Sequence, residues 1–276
     1  MIRDTFFSMP RFVKLCRKEM VENWKTNLLR FVLMYGVLAI ALIWNAYLSY
    51  RSASPGSYVS REKDVVMFGC IAFIWGVVIM GTLSASFIME RMKTKTNREA
   101  VLMLPATMFE KYISRWLIFT IGAVAAFLIA YKLADWSRVL VYTIAYPENN
   151  AIAQVPLSHL VGEADYWTAF RDNQMFMMAI GGYCFIQSLF VLGSSIWPKN
   201  AFIKTFAVGV AITLVYLLIG TLLFNSFVVR HPSLNGIFMS AGTMETLATF
   251  SFLGCALFNW VLAYFRFKES EIINRW

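Results

Sequence analysis

Charge is scarce in this sequence. Only 15% of its 276 residues are Asp, Glu, Lys or Arg, against 59% hydrophobic and 16% aromatic. Soluble domains carry about 25% charged residues. The apolar residues also lie in long uninterrupted runs, which point to membrane helices and not to a large soluble core. Histidine is nearly absent. His159 and His231 fall in separate loops, with no His, Cys or carboxylate at metal-ligand spacing, and read as surface residues. Of the four cysteines, Cys16 lies in a basic N-terminal stretch, and Cys70, Cys184 and Cys255 lie in apolar runs. None has metal-ligand spacing or falls in an expected outer loop, so they read as small apolar filler.

Other absences narrow the field further. No G-x-x-x-x-G-K-[ST] phosphate loop occurs, so ATP hydrolysis by that mechanism is not expected of this chain. The "GSS" at Gly193 to Ser195 lacks the second glycine of a nucleophile elbow, which argues against a serine hydrolase. The runs lack period-two alternation, which disfavours a β-barrel. Residues 1–27 are of mixed charge, and no small-residue cleavage site promptly follows the first apolar run, so no cleavable signal peptide is expected. No internal repeat is evident.

What is present is an all-α, polytopic pattern. Six runs are long enough for helices of ~20 residues to cross a ~30 Å hydrocarbon core: 28–50, 65–89, 116–133, 175–196, 203–228 and 245–265. Helices are required because lipid offers no partner to free backbone N–H and C=O groups. Basic residues cluster in residues 1–27, in the 90–115 loop, in the turn carrying Lys199 and Lys204, and in the tail with Arg266, Lys268 and Arg275. With six spans, all four regions share one side, so both termini are expected to be cytoplasmic. The same bias explains the net charge of +9 better than nucleic-acid binding does. The whole chain, 1–276, is expected to be one transmembrane domain.

Before the first span, Phe12, Leu15, Cys16, Met20 and Trp24 recur at helical spacing with basic residues between them. This predicts an amphipathic helix in the cytoplasmic interface. Residues 134–174, the largest outer segment, are compatible with a small cap bearing short interfacial helices. Polar residues within the spans are mild and read mainly as glue between helices. Gln187 and Asn259 are candidates for a pathway lining. An intramembrane enzyme would need polar catalytic groups inside the spans, and almost none are evident.

The 90–115 loop has its own local signals. Thr107 followed by Glu110 is a capping-box pattern, and Pro105 disfavours a helical Leu104. A helix should therefore start near Met108 and run into the third span. Upstream, "NREAVLML" predicts a second short helix capped by Thr96 or Asn97, with Glu99 near its N-terminus. Two helices, a sharp break and exposed charge suggest a docking element.

The stretch "LPATMFEK", Leu104 to Lys111, resembles the loop between spans two and three of bacterial ABC-2-type transporter permeases. In one group of these the loop reads L-P-A-S/T-x-x-E-K. The layout is similar too: an amphipathic N-terminal helix, six spans, both ends inside and an aromatic-basic tail. The resemblance implies a permease subunit in the bacterial inner membrane, an exporter paired with a second permease copy or a similar permease. ATP and Mg would be bound by a separate cytoplasmic ABC ATPase. Arg98, Glu99, Leu102, Leu104, Pro105, Thr107, Glu110 and Lys111 would then match the coupling element that docks on that ATPase. The alternative is a membrane scaffold or assembly subunit without transport.

Overall fold

The computed structural model describes residues 7–51, 58–147, 152–162, 168–223 and 241–270. In chain order the helices are α1 (Met9–Glu22), α2 (Trp24–Arg51), α3 (Tyr58–Ser86), α4 (Lys95–Leu102), α5 (Met108–Leu117), α6 (Ala123–Ala145), α7 (Asn173–Ile196), α8 (Ala201–Leu223) and α9 (Ala241–Lys268). Six helices are long and apolar enough to cross a membrane, and no strand occurs among the described residues. The fold is all-α and multi-pass.

Several boundaries differ from those expected. The helix that carries the second expected span starts at Tyr58, ahead of residue 65, and the helix that carries the sixth runs over Ala241–Lys268. The fifth is described to Leu223, so residues 224–228 lie outside the described residues. The largest difference is the third, where helix extends from Met108 to Ala145. Asp135 and Arg138, expected in an outer loop, are therefore helical. At 38 residues this helix is longer than a ~30 Å hydrocarbon core requires. Within the long helix, Ile118–Gly122 forms a π-turn. Such a turn disturbs the i→i−4 ladder, and Ser84 of α3 donates to the Phe119 carbonyl at 2.7 Å there. Among the described residues between α6 and α7, the regular structure is the 3₁₀ turn Leu157–Leu160 and the bridge Val161–Phe170.

Contacts group the chain into two compact units. The first is Met1–Ser84 with Ala106–Phe176. Its core joins Met34, Ala39 and Leu42 of α2 to Phe127, Ala130, Tyr131 and Ala134 of α6, with Phe68 and Phe73 of α3 against them. Gly76 lets α3 approach closely, since a Cβ there would lie 2.7 Å from the Phe127 ring. The Tyr131 hydroxyl donates to the Gly69 carbonyl at 2.9 Å, and the Tyr142 hydroxyl donates to Ile43 at 2.7 Å. Interhelical bonds of this kind average about 0.6 kcal/mol in a bilayer, so close van der Waals packing supplies most of the association.

In the same unit, α1 packs on α5. Its expected apolar face is divided. Leu15 is buried, while Met20 and Trp24 are exposed alongside Met9 and Val13. Exposed apolar residues beside Lys14 and Arg17 are what an interfacial helix presents to lipid.

The second unit is Ala85–Pro105 with Met177–Trp276. Here α7 meets α9 through Gly181, where a Cβ would lie 3.3 Å from the Thr249 carbonyl. It meets α8 through Gly193, which leaves no room for a Cβ beside Thr205. Phe190 stacks on Phe202 at 5.3 Å. The tight α7–α8 turn places Asn200 at φ 58, a left-handed conformation that Asn tolerates better than most residues. Most of α8 is exposed, as expected of an apolar helix bathed in lipid.

Candidate functional site

Three constellations are candidates, and the first is α4 in the second unit. The N-cap lies two or three residues earlier than expected. Thr94, not Thr96 or Asn97, is the N-cap, with extended φ/ψ and a hydroxyl that accepts from the Asn97 N–H at 3.4 Å. One face of α4 is buried through Arg98 and Val101, and Arg98 donates to the Met92 carbonyl at 3.3 Å. The opposite stripe, Thr96, Ala100 and Met103, is exposed, as is Pro105. Met103 is 75% exposed, which is unusual for so apolar a side chain in this unit's loop. Glu99, Leu102 and Leu104 are half-buried. The same unit has a cleft of about 20 Å³, room for one water, lined by Met89, Met92, Arg98, Ser195, Arg266 and Phe267.

The second candidate begins at α5 in the first unit. The capping box forms as the sequence predicts. The Glu110 N–H donates to the Thr107 hydroxyl at 3.2 Å, and the Thr107 N–H donates to Glu110 Oε2 at 3.1 Å. The other carboxylate oxygen accepts from the Ser8 N–H at 2.6 Å and from Arg11 at 3.2 Å. A second ion pair joins Arg115 to Glu19 at 3.2 Å. Glu110 is fully buried, and so is nearly all of Lys111. The charge of this loop is therefore divided between buried and exposed positions, with Lys93 and Lys95 exposed. Arg98, Glu110 and Lys111 are buried, with Arg98 and Glu110 bonded locally, while the exposed stripe of α4 is uncharged. Sequence spacing located the box but carried no sign that α1 would supply two further donors to its carboxylate.

The third constellation was not expected. Arg138 of α6 lies between Asp135 at 3.0 Å and Glu62 of α3 at 3.5 Å. Tyr50 of α2 donates its hydroxyl to the other Glu62 oxygen. All four side chains are buried. Hydrogen bonds from this cluster and from Lys132 reach residues 153 and 155 in the connection between α6 and α7. The one sequence signal was Asp135 and Arg138 at i, i+3, which pair on one helix face. Glu62 lies too far away in sequence to be paired by spacing.

The pathway candidates lie in the second unit. Gln187 and Asn259 are both buried, and Asn259 donates to the Ser188 hydroxyl at 3.0 Å. The Gln187 amide nitrogen has no partner among the described residues. Asn259 thus joins α7 to α9. No group of three or more His, Cys, Asp or Glu placed to hold a metal occurs among the described residues. Comparison with protein-family models, curated proteins and solved structures finds no match in any of the three.

Proposed function

We propose that this chain is the transmembrane permease subunit of an ATP-driven ABC-2-type transporter, an exporter of the bacterial inner membrane. A separate cytoplasmic ABC ATPase would bind ATP and Mg, and a second permease copy or a similar permease would complete the membrane half. The observation that carries the reading is α4. It is a short, well-capped helix directly after a membrane-spanning helix, anchored by Arg98 and Val101, with an outward stripe ending in Met103. A rigid helix with an apolar tip suits insertion into a groove on a partner, the common helix-in-groove mode. The "LPATMFEK" resemblance points to the ATPase as that partner, and the basic loops favour a cytoplasmic position. Closure of the ATPase would then bias the membrane half between inward-facing and outward-facing states. Six apolar helices without a phosphate loop suit a subunit that transports while its partner hydrolyses.

Co-purification from nanodiscs tests this, using the full chain co-expressed with a candidate ATPase. Burying Met103 would contribute about 1.5–3 kcal/mol. Met103→Asp should weaken ATPase retention by at least ~10-fold, and Ala100→Asp should do likewise, with thermal stability unchanged. If no ATPase binds the unmodified chain with or without nucleotide, a membrane scaffold replaces the transporter reading. If both variants bind as the wild type does, α4 is not the docking element.

A further inference from the structure

Residues 152–156 of the first unit form a strap with neither helix nor strand, beside Glu62 of α3 and Asp135 and Arg138 of α6. Two of its residues have both backbone groups held by charged side chains. Ala153 donates its N–H to Glu62 Oε1 at 3.4 Å, and its carbonyl accepts from Arg138 at 2.6 Å. Val155 donates its N–H to Asp135 Oδ2 at 2.8 Å, and its carbonyl accepts from Lys132 at 3.2 Å. This is the pattern of an extended chain, in which residues i and i+2 turn both backbone groups to one side as they would toward a neighbouring strand. Two carboxylates and two cations stand in for that strand.

One side chain is read as well. Val155 is buried with Val66, Cys70 and Leu160. The floor beneath it is Gly69, where a Cβ would lie 2.7 Å from Val155 Cγ2. The Tyr131 hydroxyl fixes that floor by donating to the Gly69 carbonyl at 2.9 Å. Ala153 and Gln154 are exposed. The groove thus recognises a backbone and one compact side chain. Apolar contact alone could hold a loop without burying charged groups, whose desolvation is costly. Charges aimed at backbone N–H and C=O groups instead suit recognition of a main chain whatever its other side chains, the logic of strand addition.

We infer that this groove is a polypeptide-binding site for an extended segment carrying a compact β-branched side chain, and that residues 152–156 are its resident self-ligand. The inference does not depend on the transporter reading. Another extended peptide of this kind would compete with the strap for the same four charged groups.

The test uses the full chain in nanodiscs and a fluorescent synthetic peptide with the sequence Ile152–Leu160, read by anisotropy. The tethered strap competes at an effective concentration of order millimolar, so the unmodified chain should bind the peptide weakly. Val155→Asp, or the milder Val155→Ser, should vacate the groove and tighten peptide binding by at least ~10-fold. Adding Asp135→Asn to either variant should abolish that gain, and a peptide carrying Asp at the position of Val155 should not bind. In the unmodified chain, millimolar peptide should speed hydrogen exchange at the Ala153 and Val155 amides. A folded, vacated chain that ignores the peptide overturns the inference, as does binding indifferent to Asp135→Asn. If neither vacated variant folds, the exchange experiment decides, and unchanged strap amides overturn it.

Discussion

The sharpest energetic consequence of this structure concerns Arg138. Its side chain is 0% exposed, as is that of Asp135, and Glu62 is 10% exposed. Arg138→Met preserves most of the side-chain volume but leaves two buried carboxylates facing each other without their shared cation. It also strips the Ala153 carbonyl of its 2.6 Å donor. Removing one partner of a buried ion pair costs about 3–5 kcal/mol, and an unmatched buried carbonyl adds about 1–3 kcal/mol. A loss of about 4 kcal/mol or more follows. The combined change Glu62→Gln, Asp135→Asn, Arg138→Met removes the charges together and should regain at least ~2 kcal/mol of that loss, because no uncompensated ion remains buried. Unfolding by SDS titration in bicelles, followed by tryptophan fluorescence, measures both. The reasoning is refuted if Arg138→Met costs under ~1 kcal/mol, or if the triple variant is less stable than the single one. Either result would mean that the cluster is solvated in the folded protein.

Two further predictions concern packing. Glu110→Ala removes the acceptor for Thr107, Ser8 and Arg11 at once. It should cost about 2 kcal/mol and speed hydrogen exchange across Met9–Glu22 while leaving α7–α9 unchanged; unaltered exchange in α1 would show that Glu110 serves α5 alone. Gly76→Ala should push α3 from the Phe127 ring at a cost of about 1–3 kcal/mol, measured as a lower melting temperature, whereas Gly36→Ala, with open space around it, should be neutral or slightly stabilising.

Much of this architecture was legible in one dimension. Six apolar runs determine six helices because a bilayer leaves an isolated backbone no alternative. The Thr107–Glu110 box and the break at Pro105 are equally local, since each depends on groups within one turn of chain. Tertiary structure decided where charge goes. Sequence alone places Asp135, Arg138 and Glu62 outside the membrane helices, because a lone charge in lipid is costly. In the fold α3 and α6 come together so that the opposite charges meet, and α6 runs on as helix to Ala145. In the same way Glu110 seemed available to a partner until α1 arrived with Ser8 and Arg11 to enclose it. Local hydrogen-bond and hydropathy patterns are written in neighbouring residues. The partners of a buried charge lie tens of residues away, and only the folded chain brings them together.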